Sequence, residues 1–450
     1  MAQAMKKKQI LRDLGDGLVL RRSTRADADA LADFSSRMHS DDGPEKPDER
    51  VGVWASDLLK DNHPTFGEGD YTIVEEVKTG KIVSSLNLIS QNWAYAGIPF
   101  KVGRPELVAT LPEYRNRGLV RQQFDVIHEW SAERGEVIQA ITGIPYYYRL
   151  FGYEMTMNLS GGRAGYRPHL PKLKQDQEEP YLFRPVVEND LAFIAKTFAY
   201  GIQRHLVQCL WDKDLLRYEI MGKSEKNINR YEFRIIETLE QEPVGFLAHP
   251  AWTWGQMLPA NLFELKEGVS WGAVTPSVVR YLLKTGEAYA EKDNIKDFDS
   301  FGFWLGSEHP VYKVFNDGLP RIRKPYAWYI RVPDLPAFLL LIRPVLEKRL
   351  AESEYPNHTA EIKITFYRGG LRLKIEKGLL TEIENYQPEP VGHSGDAAFP
   401  GLTFLQILFG YRTLDELRYA FVDCWANGNE TAGLLEALFP KLSSDVWPIS

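Results

Sequence analysis

Apolar and polar positions divide the first third of the chain into short strand-like runs and two longer stretches of helical spacing. Leu18-Val19-Leu20-Arg21-Arg22 reads as a strand. From Arg25 to Arg37, the residues Ala28, Leu31, Ala32 and Phe34 recur on one helix face. Thr24 is placed to cap that helix and Asp27 to complete a capping box, since side-chain oxygens there satisfy orphan N–H groups. Residues 71–77 and 82–88 flank Lys78-Thr79-Gly80-Lys81, which predicts a hairpin with glycine in its turn. A strand over 107–111 follows. A helix then carries Leu119, Val120, Phe124, Ile127 and Ala132 on one side, and a strand over 137–141 completes the unit.

The pattern restarts beyond a stretch rich in Gly, Pro, Lys, Gln and Glu, the composition of a linker. Tyr181-Leu182-Phe183-Arg184-Pro185 parallels the strand at Leu18. In the same register Asp190 falls on Asp27 and Ile194 on Leu31, a faint internal repeat. A strongly apolar helix over 335–350 follows, then alternating strands over 361–367 and 371–375, and helices over 402–409 and 414–421. The reading is a mixed α/β (α+β) chain: a tail at 1–16, a first unit over 17–165, a linker over 166–180, a second unit over 181–325 and a third over 326–450.

Composition adds bounds. A chain of 450 residues exceeds one hydrophobic core. Its 44% hydrophobic and 26% charged content is that of a soluble globular protein. No apolar run approaches membrane-spanning length, so no membrane partner is expected. The Lys-Lys-Lys run near the start has no apolar core behind it and does not read as a secretory signal. The two cysteines, Cys209 and Cys424, form neither a disulfide framework nor a metal site and suit a reducing cytoplasm. The nine histidines are scattered without metal-like pairing, so no metal is expected. A net charge of −7 argues against nucleic acid as a partner.

The richest motif is Pro112-Glu113-Tyr114-Arg115-Asn116-Arg117-Gly118-Leu119-Val120-Arg121, between the strand over 107–111 and the helix. A helix start offers unpaired N–H groups and a favourable dipole to an anion. Gly118 lets the anion approach closely, and the arginines add charge-assisted donors. A simple turn with a solvated arginine face would have the same residues.

Arg115-Asn116-Arg117-Gly118-Leu119-Val120 resembles the Gln/Arg-x-x-Gly-x-Gly/Ala motif of the GCN5-related N-acetyltransferases (GNAT), with Val120 in place of Gly or Ala. Together with Tyr148-Arg149-Leu150-Phe151-Gly152-Tyr153, it is more similar to the enhanced-intracellular-survival (Eis-like) subgroup, whose segments read Arg-Arg-Gly-Leu-Leu-Arg and Tyr-Gly-Arg-Phe-Gly-Tyr. The resemblance implies two tandem GNAT domains, the second without a cofactor turn, followed by a sterol-carrier-like domain. It also implies an acetyl-CoA co-substrate between two splayed strands. Val108, Ala109 and Thr110 would meet its thioester. Asn116, Arg117, Gly118, Leu119, Val120 and Arg121 would take its pyrophosphate, and Gly143 and Ile144 would edge the pantetheine channel. Tyr148 would be the general acid. The C-terminal carboxylate, here Ser450, would act as base or positioning group, with Asp445 as the fallback. The acceptor would be a primary amine, on a small molecule or a lysine, and the assembly a homo-oligomer, in the family a hexamer.

Direct attack by the amine needs no covalent intermediate. It needs a group to take the amine's proton, donors for the oxyanion and an acid for the thiolate. The rival reading is a non-catalytic acyl-CoA- or lipid-binding protein. Phe34, Trp54 and Trp93 fit either an acceptor pocket or core packing. Trp252, Trp254 and Trp271 read as packing residues.

Overall fold

The computed structural model describes residues 9–60, 62–144, 146–174, 176–389 and 395–448. The first unit runs β1 (Ile10–Gly15), β2 (Leu18–Arg22), α1 (Ala28–Met38), α2 (Glu49–Asp57), β3 (Tyr71–Glu76), β4 (Lys81–Tyr95), β5 (Ile98–Thr110), α3 (Leu119–Glu133), β6 (Ile138–Thr142) and β7 (Glu154–Leu159). The expected strand over 107–111 is the end of a longer one. The preceding Lys101, Arg104 and Glu106 mask its start in the hydropathy pattern. The expected helix over 25–37 is split: Arg25–Asp27 is a 3-10 turn that feeds α1.

These strands form one sheet in the order β1-β2-β3-β4-β5-β6, after which comes the strand Tyr326–Arg331, and only then β7. Tyr326–Arg331 pairs antiparallel with both β6 and β7. Residues assigned by sequence to the start of the third unit are thus built into the first sheet. Conversely, Gly162–Tyr166, at the end of the expected first unit and start of the linker, pairs with Ser300–Phe303 and Arg321–Arg323. The hydrogen-bonded sheets therefore do not follow the expected boundaries at 165 and 325. Both crossings are invisible to local patterning, because a strand's partners are set by tertiary packing.

The second unit has the same element order as the first: strand Leu182–Pro185, helix Leu191–Gly201, a hairpin over Tyr231–Glu237 and Pro243–Pro250, strand Leu262–Leu265, helix Trp271–Lys292 and strand Ser300–Phe303. A buried ion cluster repeats with it. Arg21 donates from Nε to Glu75 and from both terminal nitrogens to Asp27, at 2.7–2.9 Å. Arg184 makes the matching bonds to Glu237 and Asp190 over the same distances. Each aspartate also accepts from a backbone N–H three residues earlier, of Thr24 or Val187.

The third unit packs the helix Leu335–Ala351 and the helix Gly428–Leu438 against a five-stranded sheet. Its core is continuous with the other two: Trp93 and Trp328 of the first sheet, Phe198 and Phe246 of the second unit, and Phe404 and Trp447 of the third lie in one apolar cluster. Trp93 is therefore core. Phe34 and Trp54 pack with Leu107 and Ala109 beneath α1 and α2.

Candidate active site

β5 and β6 run parallel but pair only at Val102–Ile138 and Gly103–Gln139. Beyond that point they diverge, whereas β5 stays paired to β4 as far as Ser84–Thr110. A bulge lies between the pairs Asn87–Glu106 and Ser85–Ala109. Leu107 sits inside it with φ 51°, a left-handed conformation that is uncommon for leucine. The bulge turns the backbone of 107–110 at the fork, leaving main-chain groups on its β6 side available to a ligand.

The turn that follows holds Asn116 at φ 63° and Gly118 at φ 74°. Gly118 caps α3 without a side-chain hydrogen bond, so the first N–H groups of the helix remain free. A Cβ on Gly118 would meet nothing within 4 Å and would project into open space. The equivalent helix of the second unit differs, because the Ser270 side chain accepts from Ala273 N–H and caps it.

Hydroxyl and amide groups lock α3 to the fork. Gln123, fully buried, donates to Ser84 Oγ (2.7 Å) and accepts from Thr72 (3.0 Å). Ser84 donates to the Ala109 carbonyl (2.9 Å) and lies 2.7 Å from Thr110 Oγ1. Sequence reasoning passed over Gln123, although a polar residue among the apolar positions of a helix face is a detectable signal.

Tyr148 lies in the turn Tyr147–Phe151, entered through Tyr146 at φ 63° and left through Gly152 at φ 86°. The strand borrowed from the third unit braces this turn: Tyr329 Oη accepts from Tyr146 N–H (3.1 Å), and Tyr326 Oη donates to the Gly143 carbonyl. Gly143, at φ 135°, is backed by the Tyr148 ring, which a Cβ there would approach to 3.1 Å. Tyr148 is 5% exposed, and its hydroxyl makes no hydrogen bond among the described residues. Burial raises its pKa, and the Glu106 carboxylate raises it further.

Val108, Ala109, Thr110, Asn116, Gly118, Leu119, Val120, Arg121, Ile144 and Tyr148 line one cleft of about 550 Å3. Arg117, expected with them, does not line this cleft; it borders a neighbouring groove beside Arg12, and its guanidinium lies over the Tyr114 ring. Gly143 stands behind Tyr148 rather than on the cleft wall. Ile144 and Leu150, both 62% exposed, form an apolar rim. Ser450 lies outside the described residues. Asp445 is not beside Tyr148; it faces Arg204 and Glu264 in a different cleft.

Glu106 was missed from sequence, since the strand was read from Leu107 onward. It sits at the fork, paired with Arg104 (2.5 Å) and accepting from Thr142 Oγ1 (3.2 Å). His39, at the end of α1, is kept neutral by burial, which outweighs the pull of Glu106. Among the described residues no cluster of His, Cys, Asp and Glu could hold a metal ion, and no helix is long and apolar enough to cross a membrane.

A forked parallel strand pair, a bulge at the fork and an uncapped helix start meet in this one cleft. Residues 20–156 match the family model described as an acetyltransferase (GNAT) domain. Over those residues the first unit has the features of a GNAT acetyltransferase domain, a kind of domain that uses acetyl-CoA as co-substrate. A search of curated proteins finds no match. Solved structures are similar across the chain. A GCN5-related N-acetyltransferase from Kribbella flavida has a TM-score of 0.63 at 17% identity, over 97% of this chain and 99% of its own. One from Anabaena variabilis ATCC 29413 has 0.59 at 14%, over 95% and 99%. Eis1 from Mycobacterium abscessus has 0.56 at 13%, over 98% of each chain. At these identities the likeness is one of fold, and it extends through all three units.

Proposed function

We propose that the protein is an N-acetyltransferase of the Eis-like kind, moving the acetyl group of acetyl-CoA to a primary amine by direct attack. The observation that carries this reading is the single cleft joining the forked strand, the uncapped start of α3 and Tyr148. Backbone N–H groups of 119–121, with Arg121, hold the pyrophosphate. The backbone of 108–110 orients the thioester carbonyl. The amine nitrogen bonds to the acetyl carbon, the carbon–sulfur bond breaks, and the leaving thiolate takes the Tyr148 proton.

The amine's proton goes to a carboxylate. We assign that role to Ser450, through a water. The tail that leads to it is tied down: Val446 and Trp447 are buried, and Trp447 Nε1 donates to Glu219 (2.8 Å). Glu106 is a carboxylate at the fork, and its pairing with Arg104 suits it to orienting the acceptor.

The repeated arginine–aspartate–glutamate cluster supports a second, tandem GNAT-like unit. The third unit is read as sterol-carrier-like and as a closing element, in a homo-oligomer. The decisive assay measures thiol release from acetyl-CoA with a panel of primary amines. Amine-dependent release supports the reading. Coenzyme A binding without release would instead favour a non-catalytic acyl-CoA-binding protein.

A further inference from the structure

Three loops meet at one corner of the third unit. The turn over 366–369 joins the paired strands Ala360–Thr365 and Gly370–Glu376. Tyr367 stands in it at φ 66°, a left-handed conformation uncommon for a tyrosine. Its Oη donates to the Asp423 carbonyl (2.7 Å). Asp423 belongs to a second tight turn, over 421–424, in which Cys424 N–H donates to the Phe421 carbonyl (3.0 Å). Pro400 and Leu402 come from the third loop. Together with Phe366 they wall a groove of about 640 Å3.

The side chains that project beside this groove are of the wrong kind for water. Tight turns favour Gly, Asn, Asp, Pro and Ser at their tips, yet here the tip carries Val422, 90% exposed. Tyr419, at the end of the helix Leu414–Ala420, is 96% exposed. Tyr367 and Phe421 are exposed with them. The projection is stiff, because its feet are sealed: Leu417 and Cys424 are buried, and Phe421 N–H donates to the Leu417 carbonyl (2.8 Å). Single exposed apolar residues are ordinary, but a contiguous group of them marks a contact surface.

The same corner carries its own complement. An apolar projection and an apolar hollow lie side by side. Arg368 and Asp423 both line the groove and are exposed, and neither side chain makes an ion pair or hydrogen bond among the described residues. A surface with a knob and a hollow, and with one free charge of each sign, is matched by its own twofold image, which sets each feature against its opposite.

We propose that this corner is a twofold contact between two copies of the chain. Val422 and Tyr419 of each copy enter the groove of the other, and Arg368 of each faces Asp423 of the other. The contact gives the proposed homo-oligomer a specific face. It shares no residue with the cleft around Tyr148, so it does not depend on acetyl transfer.

Sedimentation of the full chain at micromolar concentration should give an even multiple of the chain mass. Val422→Lys combined with Tyr419→Lys should halve it. Gly369→Lys should do the same by filling the groove, since a Cβ there would meet nothing within 4 Å of its own chain. All these positions are at the surface, so melting temperatures should stay within a few degrees of wild type. Arg368→Glu and Asp423→Arg should each weaken association by about tenfold or more, because each sets like charges opposite one another. Mixed together, these two variants should associate again, since one copy is then wholly negative at this corner and the other wholly positive. A monomer or an odd multiple overturns the proposal, as does a mass unmoved by the lysine variants. Charge variants that leave association unchanged, or that the mixture fails to rescue, overturn the twofold pairing and the proposal with it.

Discussion

Burial and the nearby Glu106 carboxylate both keep the Tyr148 phenol protonated, the state a general acid needs before the thiolate leaves. Removing the hydroxyl while keeping the ring tests this with little disturbance of packing. Tyr148→Phe should lower kcat by roughly 10²–10⁴, with the Kd for acetyl-CoA nearly unchanged by calorimetry. A kcat loss smaller than about threefold, far below that range, would remove Tyr148 from the proton path. Gly118 makes a separate demand. Its φ of 74° costs any other residue about 1–2 kcal/mol, and its missing side chain keeps the mouth of α3 open. Gly118→Val should therefore lower thermal stability modestly and coenzyme A affinity strongly. Unchanged affinity in the folded variant would detach the pyrophosphate from this turn.

Elements show how the two copies of one pattern differ in burial. The ion cluster at the start of each unit is nearly identical in bonding, but Arg21 is 1% exposed and Arg184 35%. Asp27→Ala leaves a sealed guanidinium with Glu75 alone of its two carboxylate partners and should cost about 3 kcal/mol, the low end for breaking a buried pair. Asp190→Ala leaves a partly solvated one and should cost nearer 1.5–3 kcal/mol. Urea denaturation distinguishes the two, and equal costs would contradict the burial argument. The sign with pH also follows. Native bonding to Arg21 holds the Asp27 pKa below its unfolded value against the penalty of burial. The resulting stability is complete above about pH 4 and fades as pH falls through the native pKa. The wild-type advantage over Asp27→Ala should therefore narrow in acid. Asp27 and Asp190 were legible in sequence as matching cap positions because capping is local. Glu75 and Glu237 were not, because each comes from a strand that reaches its arginine only through sheet pairing. The glycine turn that opens α3 was legible for the same local reason as the caps. The bulge at Leu107 and the fork were not, because both depend on which neighbours β5 keeps and which it loses.

The whole molecule is laced together by exchanged strands. Tyr326–Arg331 fills the gap between β6 and β7, and its two tyrosines hold the backbone that leads into Tyr148, at Gly143 and Tyr146. The third unit then grips the same sheet from below: Gln406 donates to Glu154 of β7 (3.2 Å), and Tyr95 of β4 donates to the Leu408 carbonyl (2.7 Å). A first unit cut from the chain at residue 165 would carry every residue lining the cleft around Tyr148 and still lack the strand that closes its sheet. It would expose two unpaired edges, β6 and β7, along with Trp93 and Phe100 from the shared core. Such a fragment should aggregate or remain partly unfolded and bind coenzyme A poorly. A peptide of residues 324–333 supplied in trans should restore part of the binding by pairing with both edges. Tyr326→Phe and Tyr329→Phe in the full chain separate sheet closure from support of the Tyr148 turn. Together they should lower kcat several-fold with the melting temperature within a few degrees of wild type. If the 1–165 fragment instead folds, binds and turns over like the full chain, the inserted strand contributes nothing to the site, and the coupling argued here between the third unit and Tyr148 fails.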